Sequence, residues 1–357
     1  MEKRVTIKEI AAEAGVSTGT VHRALNGKKG VSEPVRQRIL DLCAQRGYQT
    51  NEAAAALKRG GLRLAAAFPG PEAGVNRYFY DSIWRGVRRQ MDTMRGYRIE
   101  LIELPFYPGT PRDQAAVLSD CLDRYPDGLD GLLTVGQFDA GCMPVLARFR
   151  AAGIPIVLAC DDAPACGRLA CVQADHVTNG RMVGELLAAQ LPENGCVLLC
   201  AGDLLLTSHS QTAAAFQAYL REHRPDLTCI PLHGYTNEAD LRLQLAQLLA
   251  TRQDITGAFS VCARLSALLI EQAAAQQRAG QIRIVASDLF AETAQALTDG
   301  VIQNILFKDP ERQAAQAADL LCRAALAAQQ PACDVQYVES RLIFRSNLTW
   351  YLGGNNK

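Results

Sequence analysis

The stretch TIKEIAAEAGVSTGTVHRALNG, residues 6–27, decides how this chain is read, together with VSEPVRQRIL at 31–40. Thr6 precedes an apolar-periodic run and Glu9 stands three residues on, the spacing of a capping box. Ile7, Ile10, Ala11 and Ala14 recur at helical spacing and define one inward face. Gly15 ends that helix, because glycine takes the left-handed conformation of a helix end without strain. Ser17 caps a second helix that turns Val21 and Leu25 inward. Thr18, Gly19, His22 and Arg23 are left on its outer side. Ser32 caps a third helix with Pro34 in its first turn. Val35, Ile39, Leu42 and Cys43 line its inner face, and Gly47 closes it. Three short helices at this spacing predict a helix-turn-helix domain over residues 1–49.

The outer side of the second helix has the chemistry of DNA reading. A recognition helix offers its N-terminal residues to base edges. Arg23 suits guanine bidentately, and Thr18 suits a base edge or a thymine methyl. Gly19 lets the backbone approach a groove closely. Ser17, Thr20, Asn26 and the pair Lys28–Lys29 suit phosphates, contacts that position without specifying sequence. Charge agrees. The chain is neutral overall, yet residues 1–61 hold eleven Lys and Arg against six Asp and Glu. A basic head sits on an acidic body, as expected if only the head meets phosphate.

The 357 residues are enough for about two to three domains. A hydrophobic share of 48% provides packed cores, and 21% charged residues argue against disorder. No apolar run approaches the roughly 18 residues of a membrane helix. Residues 1–4 lead into a polar helix and do not read as an export signal. The twelve cysteines form no C-x-x-C and no zinc-like spacing with His. They read as reduced thiols serving as small core residues in a cytoplasmic protein. No metal and no cofactor is expected.

From residue 62 short apolar runs alternate with amphipathic ones. Strands are expected at 62–68, 98–104, 131–135, 154–159, 196–201, 257–261, 282–287 and 301–307. Helices are expected at 80–95, 111–123, 143–152, 180–191, 211–223, 237–250, 266–279 and 310–328. This alternation predicts an α/β body of parallel sheets with helices on both faces. Nearly 300 residues exceed one comfortable core, so two lobes are expected. Walker, H-E-x-x-H and helix-opening G-x-G-x-x-G motifs are missing, which argues against an enzyme. A basic head without an export signal argues against a transport binding protein.

The head resembles that of the lactose-repressor (LacI/GalR-type) family of bacterial transcription regulators. The resemblance rests on Thr6-Ile7, Ala11, Ala14-Gly15-Val16-Ser17, Thr20-Val21, Arg23, Leu25-Asn26, Val31-Ser32, Arg36, Arg38, Gly47-Tyr48, Asn51, Ala54 and Leu57. It implies an all-α head, a hinge at 50–61 and a two-lobed, doubly wound body similar to periplasmic binding proteins. In such a hinge Leu57 wedges into the minor groove, at a cost of a few kcal/mol recovered through bent DNA. The alternative is a plain linker. His22, Thr50 and Ala55 depart from the family pattern.

The family body crosses between its lobes three times and holds its ligand in the cleft. It implies an effector and dimerisation domain at 62–345, with lobes of about 62–165 plus 300–330 and 166–299 plus 331–345. A tail would occupy 346–357, where no heptad run marks a coiled coil. Doubly wound sheets bind ligands at the carboxyl ends of strands. Asp161, Arg264 and Phe307 stand at such ends.

Tyr78, Phe79 and Tyr80 precede the first body helix, either as sugar-stacking rings or as core. Asp288 matches the family's ligand-binding aspartate, or caps the next helix. SHSQTAAAF at 208–216 is similar to a D-H-x-E-R-x-x-G-F variant: His209 matches, and Thr212 stands in place of Arg. Lys308 replaces a Gln in a Q-D-P-x-x-Q segment that includes Gln313. Asp175 leads into a helix as family aspartates do. Lys308 and Arg264 together point to an acidic sugar derivative.

The resemblance thus implies a homodimeric regulator on a palindromic, double-stranded DNA operator. It would be controlled by a carbohydrate effector and would mostly repress. Activation, or dependence on a corepressor, is the alternative within the same fold.

Overall fold

The computed structural model describes residues 5–25, 30–46, 61–71, 77–126, 128–137, 139–234, 237–327 and 331–352. The chain divides into two units, Met1–Gly60 and Gly61–Lys357.

In the first unit the helices are α1 (Ile7–Glu13), α2 (Thr18–Leu25) and α3 (Glu33–Gln45). The capping box forms: Thr6 N–H donates to the Glu9 carboxylate at 2.7 Å, and Glu9 N–H donates to Thr6 Oγ1 at 3.3 Å. Gly15 turns the chain at φ +64°. Ser17 Oγ accepts from Thr20 N–H at 3.1 Å. Ser32 stands at the start of α3, but its hydroxyl makes no capping bond. Ile10, Val21 and Ile39 meet in a small core with Ala11, Ala14, Ala24 and Cys43. Two arginines hold the helix ends. Arg38 donates to the Ala14 carbonyl at 2.6 Å and Arg36 to the Ala24 carbonyl at 2.8 Å. Carbonyls at helix ends lack intrahelical partners, and cations there are favourable.

The second unit runs β1 (Leu62–Pro69), α4 (Arg77–Thr93), β2 (Ile99–Phe106), α5 (Pro111–Arg124), β3 (Gly131–Thr134), α6 (Cys142–Ala151), β4 (Ile156–Ala159) and β5 (Ala170–Ala174). Then come α7 (His176–Gln190), β6 (Cys196–Gly202), α8 (Thr207–His223), β7 (Thr228–His233), α9 (Glu238–Thr251), β8 (Ile255–Ser260), α10 (Ala263–Ala275) and β9 (Arg283–Ser287). The chain closes with α11 (Ala291–Asp299), β10 (Asn304–Phe307), α12 (Pro310–Ala327), β11 (Val335–Val338) and β12 (Arg341–Ile343). Two six-stranded sheets result, ordered β11-β5-β4-β3-β1-β2 and β12-β10-β9-β8-β6-β7. Each sheet has its own hydrophobic core. Among the described residues all pairings are parallel except β10 with β12.

The described strands cross between the sheets three times, after β5, after β10 and after β11. These points differ from the lobe limits expected from sequence. β5 lies beyond residue 165 yet pairs with β4, Leu158 opposite Cys171. β10 lies beyond residue 300 yet pairs with β9, and β11 beyond 331 pairs with β5. Backbone pairing assigns each strand, and the lengths of apolar runs do not reveal it. Residues 345–350, expected largely as tail, form a 3-10 helix with Leu348 buried in the second core.

Helices α7 and α8 approach closely through glycines. A Cβ at Gly180 would sit 2.3 Å from the Thr212 carbonyl oxygen, and one at Gly184 would sit 2.9 Å from Tyr219. The cysteines are unpaired and mostly buried; Cys333 is exposed. No described helix is long and apolar enough to cross a membrane.

Candidate functional site

Parallel sheets leave their strand C-termini on one side, and in this body the two sets of C-termini border one cavity. It encloses about 590 Å³ of empty space, part of it continuous with solvent. Phe79, Tyr80, Gln137, Cys160, Asp161 and Ala174 line it from the first lobe. Ser208, His209, Arg264, Asp288 and Lys308 line it from the second, with Cys262 and Ala263. His176 and Gln313 enter from α7 and α12, the helices that follow lobe crossings.

Asp288 occupies the turn after β9. Its φ is +68°, and its N–H donates to the Leu306 carbonyl at 2.9 Å. Its carboxylate is buried, 3.1 Å from Lys308 Nζ. Lys308 Nζ also donates to the Val261 carbonyl at 3.1 Å and stands 5.7 Å above the Phe79 ring. Burial pushes the Asp288 carboxyl above its usual range, against the pull of Lys308 and the nearby Ala263 backbone. Its Oδ1 accepts no hydrogen bond of regular geometry. The Lys308 carbonyl accepts from Gln313 Nε2 at 2.6 Å.

Asp161 faces this pair from the first lobe. Its Oδ2 accepts from Gln137 Nε2 at 3.3 Å and its Oδ1 from Ser208 N–H at 3.0 Å. Ser208 is in the first turn of α8, where free N–H groups and the helix dipole favour a carboxylate. Asp162, next in sequence, forms a two-pronged ion pair with the buried Arg168, which also lies 3.4 Å from Asp334. That pair ties the turn bearing Asp161 to the β11 edge.

His209 is buried, and its Nδ1 accepts from Asp203 N–H at 3.1 Å. A ring that accepts at Nδ1 carries its proton at Nε2 when neutral. Burial pushes its pKa down to about 4. The backbone leaves room for this ring only because residue 202 is glycine. Gly202 has φ +71°, and a Cβ there would lie 2.6 Å from His209 Nδ1. The cavity therefore presents two engaged carboxylates, one neutralised lysine, the Arg264 guanidinium and neutral imidazole. These groups fit hydrogen bonding to hydroxyls, with Phe79 and Tyr80 as apolar faces.

Residues 6–51 match the bacterial regulatory proteins of the lacI family, and residues 71–329 match the periplasmic binding protein domain. The chain joins a lacI-family head to a periplasmic-binding-protein body. It is 41% identical over 58 residues to the HTH-type transcriptional regulator TreR of Salmonella typhimurium, which covers 16% of this chain and 18% of TreR. It is 42% identical over 155 residues to catabolite control protein A of Streptococcus mutans, 43% of each chain. The chain thus matches less than half the length of these curated relatives. A solute binding protein of an ABC transporter from Burkholderia graminis, solved with D-arabinose, has a TM-score of 0.71 at 18% identity. That match covers 81% of this chain and 96% of the other.

Within the binding-protein body, Phe79, Tyr80, Asp161, His209, Arg264, Asp288 and Lys308 come together at the cavity, where sequence placed them. Tyr78 and Phe307, also expected there, do not line it. Tyr78 instead stacks on Phe290 at 4.5 Å between ring centres, and Phe307 meets Tyr351 edge-on at 5.5 Å. Side chains alternate along a strand, so Phe307 and Lys308 face opposite ways. Asp175 is the N-cap of α7, accepting from Thr178 N–H at 3.0 Å. Thr212 is buried and does not line the cavity. His176 and Ser208 were not singled out from sequence. The available signal was position, since each begins a helix just after a strand end.

On the lacI-type head, Thr6, Ser17, Thr18, Gly19 and Arg23 are exposed and Thr20 is half-buried. Arg23 reaches Thr20 Oγ1 at 3.5 Å. The His22 side chain and Asn26, Lys28, Lys29, Thr50, Asn51, Ala55 and Leu57 lie outside the described residues.

Proposed function

We propose that this protein is a DNA-binding transcriptional regulator, a homodimeric repressor working in the cytoplasm on a palindromic operator. Its DNA affinity responds to a small, neutral, polyhydroxylated effector held in the body cavity. The observation that carries this reading is the union in one chain of the lacI-family head with a body cavity built for hydroxyl groups. The D-arabinose of the Burkholderia graminis neighbour supports a sugar as the effector class. A symmetric dimer reads two half-sites, hence the palindrome.

The acidic derivative expected from Lys308 and Arg264 is disfavoured. Lys308 is already neutralised by Asp288, and the charge of Arg264 on the same cavity is offset by that of Asp161. Effector couplings of about 1–3 kcal/mol change occupancy by one to two decades.

Selection of bound duplexes from a random DNA pool tests the head. An enriched palindrome is expected, and Arg23→Ala should weaken its binding roughly tenfold or more, as for a lost base contact. A thermal-shift screen against D-arabinose, D-ribose, D-glucose, myo-inositol, glucose 6-phosphate and glucuronate tests the effector. Stabilisation by neutral compounds is expected. Failure to enrich any sequence would refute the regulator, and stabilisation by the anions alone would refute the neutral effector.

A further inference from the structure

We infer that His176 is a ligand-contacting residue of the body cavity, where its neutral ring hydrogen-bonds a hydroxyl group of the occupant. This rests on the sugar-effector reading above and extends it to a residue whose role the fold alone does not explain.

His176 is the first residue of α7, directly after the N-cap Asp175. Asp175 is occupied with Thr178, so it does not orient the ring. The His176 side chain lines the cavity and is only 4% exposed. The Cys160 backbone lies near, yet neither ring nitrogen makes a hydrogen bond of regular geometry with the protein. Buried polar atoms are paired in the great majority of cases, and an unpaired one calls for a reason. Burial also pushes the ring's pKa down, which keeps it neutral. A neutral imidazole offers one donor and one acceptor, the same pair that a hydroxyl can complement from either side.

Two neighbours sharpen the argument. Asp288 Oδ1, on the same cavity wall, also lacks a regular hydrogen-bond donor. Asn179, one turn along α7 from His176, is buried with both amide atoms unpartnered. His209 contrasts with His176, since its Nδ1 is held by the Asp203 N–H and that ring is oriented by the protein. The His176 ring has only the nearby Cys160 backbone, without a hydrogen bond of regular geometry. An unanchored polar ring weakens the ligand-free body and is retained where it serves binding.

The test uses the full chain and two variants, His176→Leu and His176→Gln, with thermal unfolding and titration calorimetry against D-arabinose, D-ribose, D-glucose and myo-inositol. In ligand-free protein, His176→Leu should hold or raise Tm, because it removes polar atoms that the fold does not satisfy. The same variant should weaken binding of any sugar that binds the wild type by about tenfold or more, with partial recovery in His176→Gln. A lower ligand-free Tm in His176→Leu would mean that the ring serves the fold, and would overturn the inference. Unchanged sugar affinity in His176→Leu would overturn it as well. Absence of any sugar response in the wild type would instead refute the effector reading. The ligand-free comparison then still decides whether His176 serves the fold.

Discussion

Asp161 of the first lobe accepts a hydrogen bond at 3.0 Å from the backbone N–H of Ser208, at the start of a helix in the second lobe. With the Tyr78–Phe290 stack and the Lys308–Phe79 contact, it draws the two lobes together around the cavity. A hydrogen bond to a charged group contributes about 1.5–3 kcal/mol. Asp161→Ala should therefore shift the body towards an open form. Small-angle scattering of the ligand-free protein should show a larger radius of gyration in this variant and a near-normal one in Asp161→Asn, which keeps an acceptor. Identical scattering of Asp161→Ala and wild type would contradict this role.

Acid should weaken the body as its buried histidines become protonated. The His209 pKa is lowered to about 4 by burial, from an ordinary value near 6.5, and that of His176 is lowered in the same direction. The unfolded chain therefore binds protons that the native chain refuses. This contribution to stability is complete above pH 6.5 and is lost as pH falls towards 4, by on the order of 3 kcal/mol for His209. Urea midpoints at pH 7 and pH 4.5 should fall less in His209→Gln than in wild type. Equal losses would show that His209 is not the titrating group.

The Asp162–Arg168 pair should behave as a buried one. Only 4% of the Arg168 side chain and 10% of that of Asp162 are exposed. Arg168→Ala leaves a buried carboxylate alone and should cost about 3–5 kcal/mol, whereas Arg168→Met combined with Asp162→Leu should be far milder. Equilibrium unfolding of the single and double variants measures the difference, and additive losses would argue against a buried pair.

Gly202→Ala meets two penalties at once, a left-handed backbone and a Cβ pressed on His209 Nδ1. A loss of about 1–3 kcal/mol is expected. Restoring space with His209→Ala should relieve only the steric part, so the double variant separates strain from clash. A Gly202→Ala protein as stable as wild type would rule out both.

Much of this was legible in the chain because the signals were local. The cap of α1, the turn at Gly15 and the apolar faces of the head follow from spacing alone. Strands such as β1 and β6 are nearly all apolar, being buried on both faces. Asp288 and Lys308 were found through the family resemblance, and Asp161 and Arg264 from their positions after strand ends. β5, β7, β11, β12 and α11 were missed for stated reasons. β7 and β11 are edge strands with exposed residues, and β12 is an edge strand of three. β5 is short, and α11 follows Asp288 within three residues. Asp161 with Ser208, and Lys308 with Phe79, depend on two lobes meeting, which no local pattern encodes.

The two arginines that close the helix ends of the head bear on how ionic strength acts on the proposed DNA contact. Arg36 and Arg38 direct donors inward to the Ala24 and Ala14 carbonyls, and Arg46 lies 3.1 Å from Glu13. Their charge still adds to the attractive field. Each, however, has a nitrogen engaged within the head, and each phosphate neutralised by a cation steepens the logarithmic dependence of affinity on salt by about 0.9 for B-DNA. The slope of DNA affinity against salt should therefore report fewer released counterions than the head's basic residues would suggest.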